Sequence, residues 1–416
     1  MNPLSPERHL RILAYGFPID GNFGGPSVVH GLYDALAHVA PGSELVVYQQ
    51  RKLEPLSVAD APCPVRYYPY QHHVLKFLRD GLLSRVTRWR SRGAATAQFW
   101  DDFRAADVVV NIYAICFYAA PGRESRARAL LSCLKAAPML LRSFGVGVMA
   151  RLWGKRALKT TSSYGPFGRR TDAFRAWLAC RFAFTRALAR EEEGGRRLRA
   201  LAPKRMTLSV APDLANAWRP EPVARSGRPR IGVAISFQSE RQWARKGRDY
   251  MPFMRALAVH ALTAYGACEI VLLPNQIKGA GARSDDTILA QELFESLGRP
   301  AQMRVFDTAH VPPTALRAEI AACDLVVSCR YHTCVAAFAS GVPTLVIGWH
   351  EKYAALGRLY GQERWMFSTE ACAQTDMCAV LDALWAQRHD VARDLVAHGP
   401  AVRAAVETSL RQLLET

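Results

Sequence analysis

The run Ser328-Cys329-Arg330-Tyr331-His332 sets a guanidinium and an imidazole two positions apart. It follows the apolar stretch 324–328 and precedes another apolar stretch at 333–339. Arginine offers a planar fork to a carboxylate or phosphate. A histidine beside it can donate a proton or neutralise a leaving phosphate. Burying such a pair between apolar elements is costly without a partner, which points to an anionic ligand. The plainer reading is an arginine that caps carbonyls beside a hydrogen-bonded histidine.

Other candidates follow the same logic. Trp349-His350-Glu351-Lys352 comes after the next apolar run, and Lys352 could reach the same cleft or simply be an exposed lysine. Near the N-terminus, Gly21-Asn22-Phe23-Gly24-Gly25-Pro26 reads as a glycine-rich loop before a helix. Its glycines, with Asn22, allow close backbone approach, and a helix N-terminus offers free N–H groups to an anion. Ser27 would cap that helix or donate to a ligand. Arg241, Arg245 and Lys246 read as a basic loop able to close on an anionic substrate. Asp285 and Asp286 read as helix caps, and Asp213 as a turn former.

The elements that must hold these groups alternate. Apolar runs at 10–15, 44–48, 107–112, 160–164 and 206–210 read as strands with helices between them. The segment 218–230 has three prolines, a glycine and no periodic apolar face, which marks a linker. The alternation then restarts with strands at 231–237, 269–273, 303–306, 324–328 and 344–348. Strands separated by helices imply right-handed crossovers and a parallel sheet. The expected fold is therefore α/β, with two Rossmann-like domains facing a cleft. The expected boundaries are 1–218, a linker at 219–230, a second domain at 231–375 and a helical tail at 376–416. Ligands of such sheets sit outside the carboxyl ends of the strands, where the loops above fall.

Composition narrows the classes. The chain has 416 residues, half of them apolar and 22% charged, so it is globular with ample core. Its first eleven residues lack signal-peptide form, and no apolar run is long enough to span a membrane. Ten scattered cysteines without C-x-x-C spacing indicate neither a metal site nor a disulfide framework. They fit a cytoplasmic protein. No cofactor is expected.

The formal charge of +18 is uneven: residues 76–93 carry a net +5 and residues 121–205 a net +15. Leu75, Leu78, Leu82, Val86 and Trp89 recur at helical spacing among arginines. A basic amphipathic helix of this kind can lie on an anionic membrane, or else pack on its own domain. Residues 139–156 mix apolar, aromatic and basic side chains in the same way. No recognised motif accompanies the charge, so nucleic acid is not expected as a partner.

Several of these residues together resemble the polysaccharide pyruvyl transferase family. Ser328-Cys329-Arg330-Tyr331-His332, then Ala336-Ala337, Gly341-Val342-Pro343 and Trp349-His350-Glu351-Lys352, is similar to the family's C-terminal signature. Gly21-Asn22-Phe23-Gly24 resembles its N-x-G-D opening, and Tyr164-Gly165-Pro166-Phe167 its G-P-F stretch. Ala189-Arg190-Glu191 with Leu198, and Ala211-Pro212-Asp213, resemble its remaining segments, in matching order. Two departures are Gly25 where the family has Asp and Gly194 where it has Ser.

The resemblance implies a GT-B-like pair of Rossmann domains. It also implies transfer of a pyruvyl group from phosphoenolpyruvate to a sugar as a ketal. The sugar would belong to a cell-surface glycan or its lipid-linked precursor. By motif match, Arg330 and His332 fall on the family's phosphoenolpyruvate contacts, Arg190 on its N-domain arginine, and Lys352 on the signature lysine. Two rival expectations stay open. One is a nucleotide-sugar glycosyltransferase, for which Glu351 is the nearest ribose-binding candidate. The other is a non-catalytic glycan- or membrane-binding relative.

Overall fold

The computed structural model describes residues 9–16, 21–49, 60–70, 73–86, 93–117, 136–219, 221, 223, 227–277 and 284–415. Short runs of branched apolar residues form its strands. VVVN at Val108–Asn111 and LVVS at Leu325–Ser328 are buried at every position. Burial at every position means that both faces of the sheet are covered by helices.

The first sheet contains β1 (Arg11–Tyr15), β2 (Glu44–Gln49), β3 (Val65–Tyr67), β4 (Val108–Asn111), β6 (Arg156–Tyr164), β7 (Arg186–Ala189) and β8 (Thr207–Val210), while the short β5 (Ile115–Cys116) pairs with β6. Its order is β3-β2-β1-β4-β6-β7-β8. The second contains β9 (Arg230–Ala234), β10 (Glu269–Leu272), β11 (Met303–Val305), β12 (Leu325–Ser328), β13 (Thr344–Gly348) and β14 (Met366–Ser368), in the order β11-β10-β9-β12-β13-β14. The pairings within both sheets are parallel, including β1 with β2 and β4, and β9 with β10 and β12. In each sheet the first strand has the second on one side and a later strand on the other. The chain thus reverses its direction of travel there, and a crevice opens at the carboxyl ends. The expected α/β architecture of two Rossmann-like sheets is present, with helices closing the chain.

Those closing helices are Met377–Ala386 and Arg388–Leu414. The longer one packs against the helix Gly24–Val39 of the first sheet. Arg186 Nη1 donates to the Gln412 carbonyl at 2.8 Å, and Arg156 donates to that of Leu414. The expected linker falls partly outside the described residues, at 220, 222 and 224–226.

Two local expectations need correction. The first helix begins at Gly24, ahead of Ser27. Ser27 Oγ donates to the Phe23 carbonyl at 2.7 Å inside the first turn and caps nothing. Of the expected basic loop after β9, Arg241 belongs to a helix, Phe237–Ala244, capped by Ser236, and Arg245 and Lys246 lie in the turn that follows it. Buried Trp243 anchors it, so Arg241 and Arg245 point outward and Lys246 pairs with Glu370. In the helix Val74–Val86, Phe77, Gly81 and Ser84 face inward, whereas Leu75 and Val86 are 82% and 80% exposed. Gly81 is the point of closest approach: a Cβ there would meet Met149 Cε at 2.5 Å. Trp89 and its neighbouring arginines lie outside the described residues.

Candidate active site

The carboxyl ends of both sheets enclose a cavity of about 730 Å³ at the two reversal points. Gly21, Asn22, Gly24, Arg190, Arg330, His332, Trp349 and Lys352 all line it. Ser27, Arg245 and Lys246 do not.

The two sheets' loops are stitched beside the cavity. Asn22 and Gln276 form an antiparallel bridge. Phe23 N–H donates to Asn275 O at 3.0 Å, and Ile277 N–H to Gly21 O at 2.9 Å. Two glycines make this approach possible. Gly21 has φ +65°, and a Cβ there would run into the Ile277 carbonyl. A Cβ on Gly24 would lie 2.5 Å from His332 Nδ1.

His332 sits at the start of the helix Tyr331–Ala339. Its Nε2 is enclosed and has no hydrogen-bond partner among the described residues. Burial pushes its pKa down to about 3. Asp213 opposes that shift, and Arg190, Lys352 and Arg330 add to it. The ring is therefore neutral near pH 7.

Arg330 is tethered rather than loose. It lies against the buried carboxylate of Asp286, and its Nη1 donates to Gln276 Oε1 at 3.3 Å. Its Nε has no partner among the described residues. Asp286 also accepts the N–H groups of Phe237 at 3.0 Å and Gln276 at 2.9 Å. Asp285 is the helix cap, accepting from Thr287 N–H at 2.9 Å. The two adjacent acids thus divide between a capping role and a place behind Arg330.

Arg190, just past β7, pairs with buried Asp213 and stacks 4.7 Å from the centre of the Tyr331 ring. Its Nε and Nη1 are buried without a hydrogen-bond partner among the described residues. Lys352 opens the helix Glu351–Tyr360. Its Nζ sits 4.9, 5.1 and 5.5 Å from the ring centres of Trp349, Tyr331 and Tyr353. Such contacts favour a cation. Burial nonetheless lowers its pKa to about 7, helped by Arg190 and opposed by Glu191 and Asp213.

Sequence reasoning missed the opposite wall. Tyr113, Phe117, Met139, Leu140, Phe144, Asp172 and Arg175 form it, all from the first sheet's loops and helices. Asp172 and Arg175 pair at 3.6 Å. Met139, Leu140 and Phe144 belong to the stretch 139–156, whose mix of apolar and basic residues suggested a membrane surface rather than a ligand wall.

Two further points bear on the chemistry. Glu191, His350 and Glu351 bring ligand atoms within 4.8 Å of one another, spacing that a metal ion could use. Both Glu351 oxygens, however, accept from Arg197 at 2.7 and 3.2 Å, and Glu191 Oε2 accepts from Ser163 Oγ at 3.0 Å. Glu351, the ribose candidate, is thus held by Arg197 and does not line the cavity. At Gly194, a Cβ would lie 2.9 Å from Glu191 Oε1, so Glu191 fills the space a larger residue would need.

Residues 143–351 match the model of the polysaccharide pyruvyl transferase family. No curated protein matches the chain. Among solved structures, a UDP-N-acetylglucosamine 2-epimerase from Listeria monocytogenes is similar at TM-score 0.54 and 10% identity, covering 97% of this chain and 98% of that one. The N-terminal domain of a Candida albicans trehalose-6-phosphate phosphatase gives 0.52 and 10%, with 98% and 99% covered. A spinosyn rhamnosyltransferase gives 0.51 and 12%, with 98% and 100% covered. These likenesses establish the GT-B fold and nothing finer.

Proposed function

The chain belongs to the polysaccharide pyruvyl transferase family, and from that premise we propose that it moves the pyruvyl group of phosphoenolpyruvate onto two hydroxyls of a sugar. The observation that carries this reading is a set of unpaired nitrogens around one cavity. Arg190 Nε and Nη1, Arg330 Nε and His332 Nε2 are buried without partners among the described residues. Buried polar groups are normally hydrogen-bonded, so an unpaired set asks for a ligand rich in acceptors. Phosphoenolpyruvate has a carboxylate and a phosphate, which suit two arginine forks and a lysine.

The reaction balances as follows. A proton adds to the enol methylene and leaves a cation at C2. One sugar hydroxyl attacks C2 and loses its proton. The C2–O bond to phosphate then breaks, and the second hydroxyl closes the ring and loses its proton. One of the two released protons replaces the one consumed; the other leaves with phosphate.

A dianion beside His332 favours the imidazolium, so the ring takes up a proton as the donor binds. Its Nε2 then holds a proton for the methylene or for the departing phosphate. Arg190, Arg330 and Lys352 hold the donor's charge. Tyr113, Phe117 and Phe144, with Asp172, give the opposite wall the aromatic surface and polar handle that suit a sugar.

The test incubates the protein with labelled phosphoenolpyruvate and candidate glycans and follows phosphate release. His332→Ala should keep the fold and lose that release; full activity in the variant refutes the role. Phosphoenolpyruvate should also raise the melting temperature where UDP- and GDP-sugars do not.

A further inference from the structure

We propose that the outward face of three neighbouring helices docks on an anionic phospholipid surface. The helices are Val74–Val86, Ala136–Leu152 and Arg170–Phe182, which pack side by side over the first sheet. Their adjacency is fixed by side chains: Arg85 donates to the Leu152 carbonyl, Arg151 to that of Arg181, and Arg175 Nη2 to Met139 Sδ at 2.9 Å. No helix among the described residues is long and apolar enough to cross a membrane, so any contact would lie at the surface.

Two observations define the face. The first is exposed apolar surface: Leu75, Leu82 and Val86 on one helix, Leu152 on the next, and Trp177 and Phe182 on the third. Aromatic side chains of this kind sit well at the boundary between headgroups and acyl chains. The second is charge of one sign. The three helices carry eight Lys or Arg and two acids. Both acids, Asp80 and Asp172, are buried and paired with Arg79 and Arg175. No exposed acid on these three helices therefore offsets their bases.

That asymmetry selects the occupant. A second copy would set like charge against like. Anionic headgroups above an acyl layer complement both the bases and the apolar residues. The face also reaches the cavity, because Met139 and Arg175 belong to both. An acceptor carried in the membrane would thus meet the sugar-side wall directly. The docking claim itself does not depend on the donor.

The test is sedimentation of the full chain with vesicles, without donor or acceptor. Vesicles of equal parts phosphatidylcholine and phosphatidylglycerol should carry the protein down, and pure phosphatidylcholine should not. Added salt should release it. Leu82→Glu/Phe182→Glu replaces exposed apolar residues on two of the helices and should weaken binding by about tenfold or more with unchanged melting. Arg299→Glu, an exposed site on the second sheet's side, should change it little. Equal binding by the double variant, equal binding to neutral vesicles, or a loss of self-association in the variant without any vesicle binding by the parent would each overturn the proposal.

Discussion

Arg330 leans on Asp286, a carboxylate with no solvent exposure that also accepts the backbone N–H groups of Phe237, Asn275 and Gln276. One buried anion thus ties together the loops after β9 and β10 and the arginine after β12. The arginine's direction is set before any ligand arrives.

Asp286→Asn should therefore lower phosphoenolpyruvate affinity although Asp286 does not line the cavity. Removing one partner of a buried pair costs about 3–5 kcal/mol, and the amide should retain part of that. Calorimetry and denaturant melts read the two effects separately. Adding Arg330→Met to Asp286→Asn should cost little further affinity, because the second change removes a group already misdirected.

The free protein should be more stable at higher pH. His332 falls from 6.5 to about 3, and Lys352 from 10.5 to about 7, both through burial. Where the folded pKa is the lower one, the unfolded chain holds more protons and stability rises with pH. The His332 cost sets in as pH falls below 6.5, and the Lys352 cost lifts as pH climbs from about 7 toward 10.5. A bound dianion reverses both preferences. Phosphoenolpyruvate should bind with proton uptake, and its affinity should fall as pH rises above about 7. Lys352→Met should flatten that decline; an unchanged slope would assign it to another group. Calorimetry in buffers of different ionisation enthalpy measures the proton count.

Gly24→Ala should separate activity from stability. Gly24 is the first residue of its helix, so the change alters backbone propensity little. The added methyl would meet His332 Nδ1 at 2.5 Å, closer than atoms tolerate, so the ring must move. Turnover should drop by about a hundredfold, the scale of a lost general acid, while the melting temperature shifts by a few degrees at most. Unchanged turnover would show that the ring position does not matter.

Removing Arg190 should do the opposite. Arg190→Met leaves Asp213 buried and uncompensated, at a cost of about 3–5 kcal/mol. Arg190→Met/Asp213→Asn should regain much of that stability in denaturant melts yet bind no phosphoenolpyruvate. Restored binding would make Arg190 purely structural.

Much of this architecture could be read from residues 231–348, where buried strands announce themselves as runs such as LVVS and TLVIG. The placing of Arg330 and His332 after β12 followed from the same pattern. Interactions across the cleft were not legible. Gly24 and Gly25 looked like loop because glycine disfavours helix, yet the Phe23–Asn275 bond fixes the helix start there. Asp286 looked like a cap because Asp285 beside it is one. Arg241 looked like part of a closing loop, since nothing local reveals that buried Trp243 holds it in a helix and leaves Arg245 and Lys246 in the turn beyond, away from the cavity.

The polypeptide passes from one sheet to the other ahead of β9 and returns through its last helix, whose final carbonyls are gripped by Arg156 and Arg186. The Asn22–Gln276 bridge and the Phe23–Asn275 hydrogen bond fasten the same two sheets again beside the cavity. Joined both there and through the tail, they keep Gly24 in its seat over the imidazole.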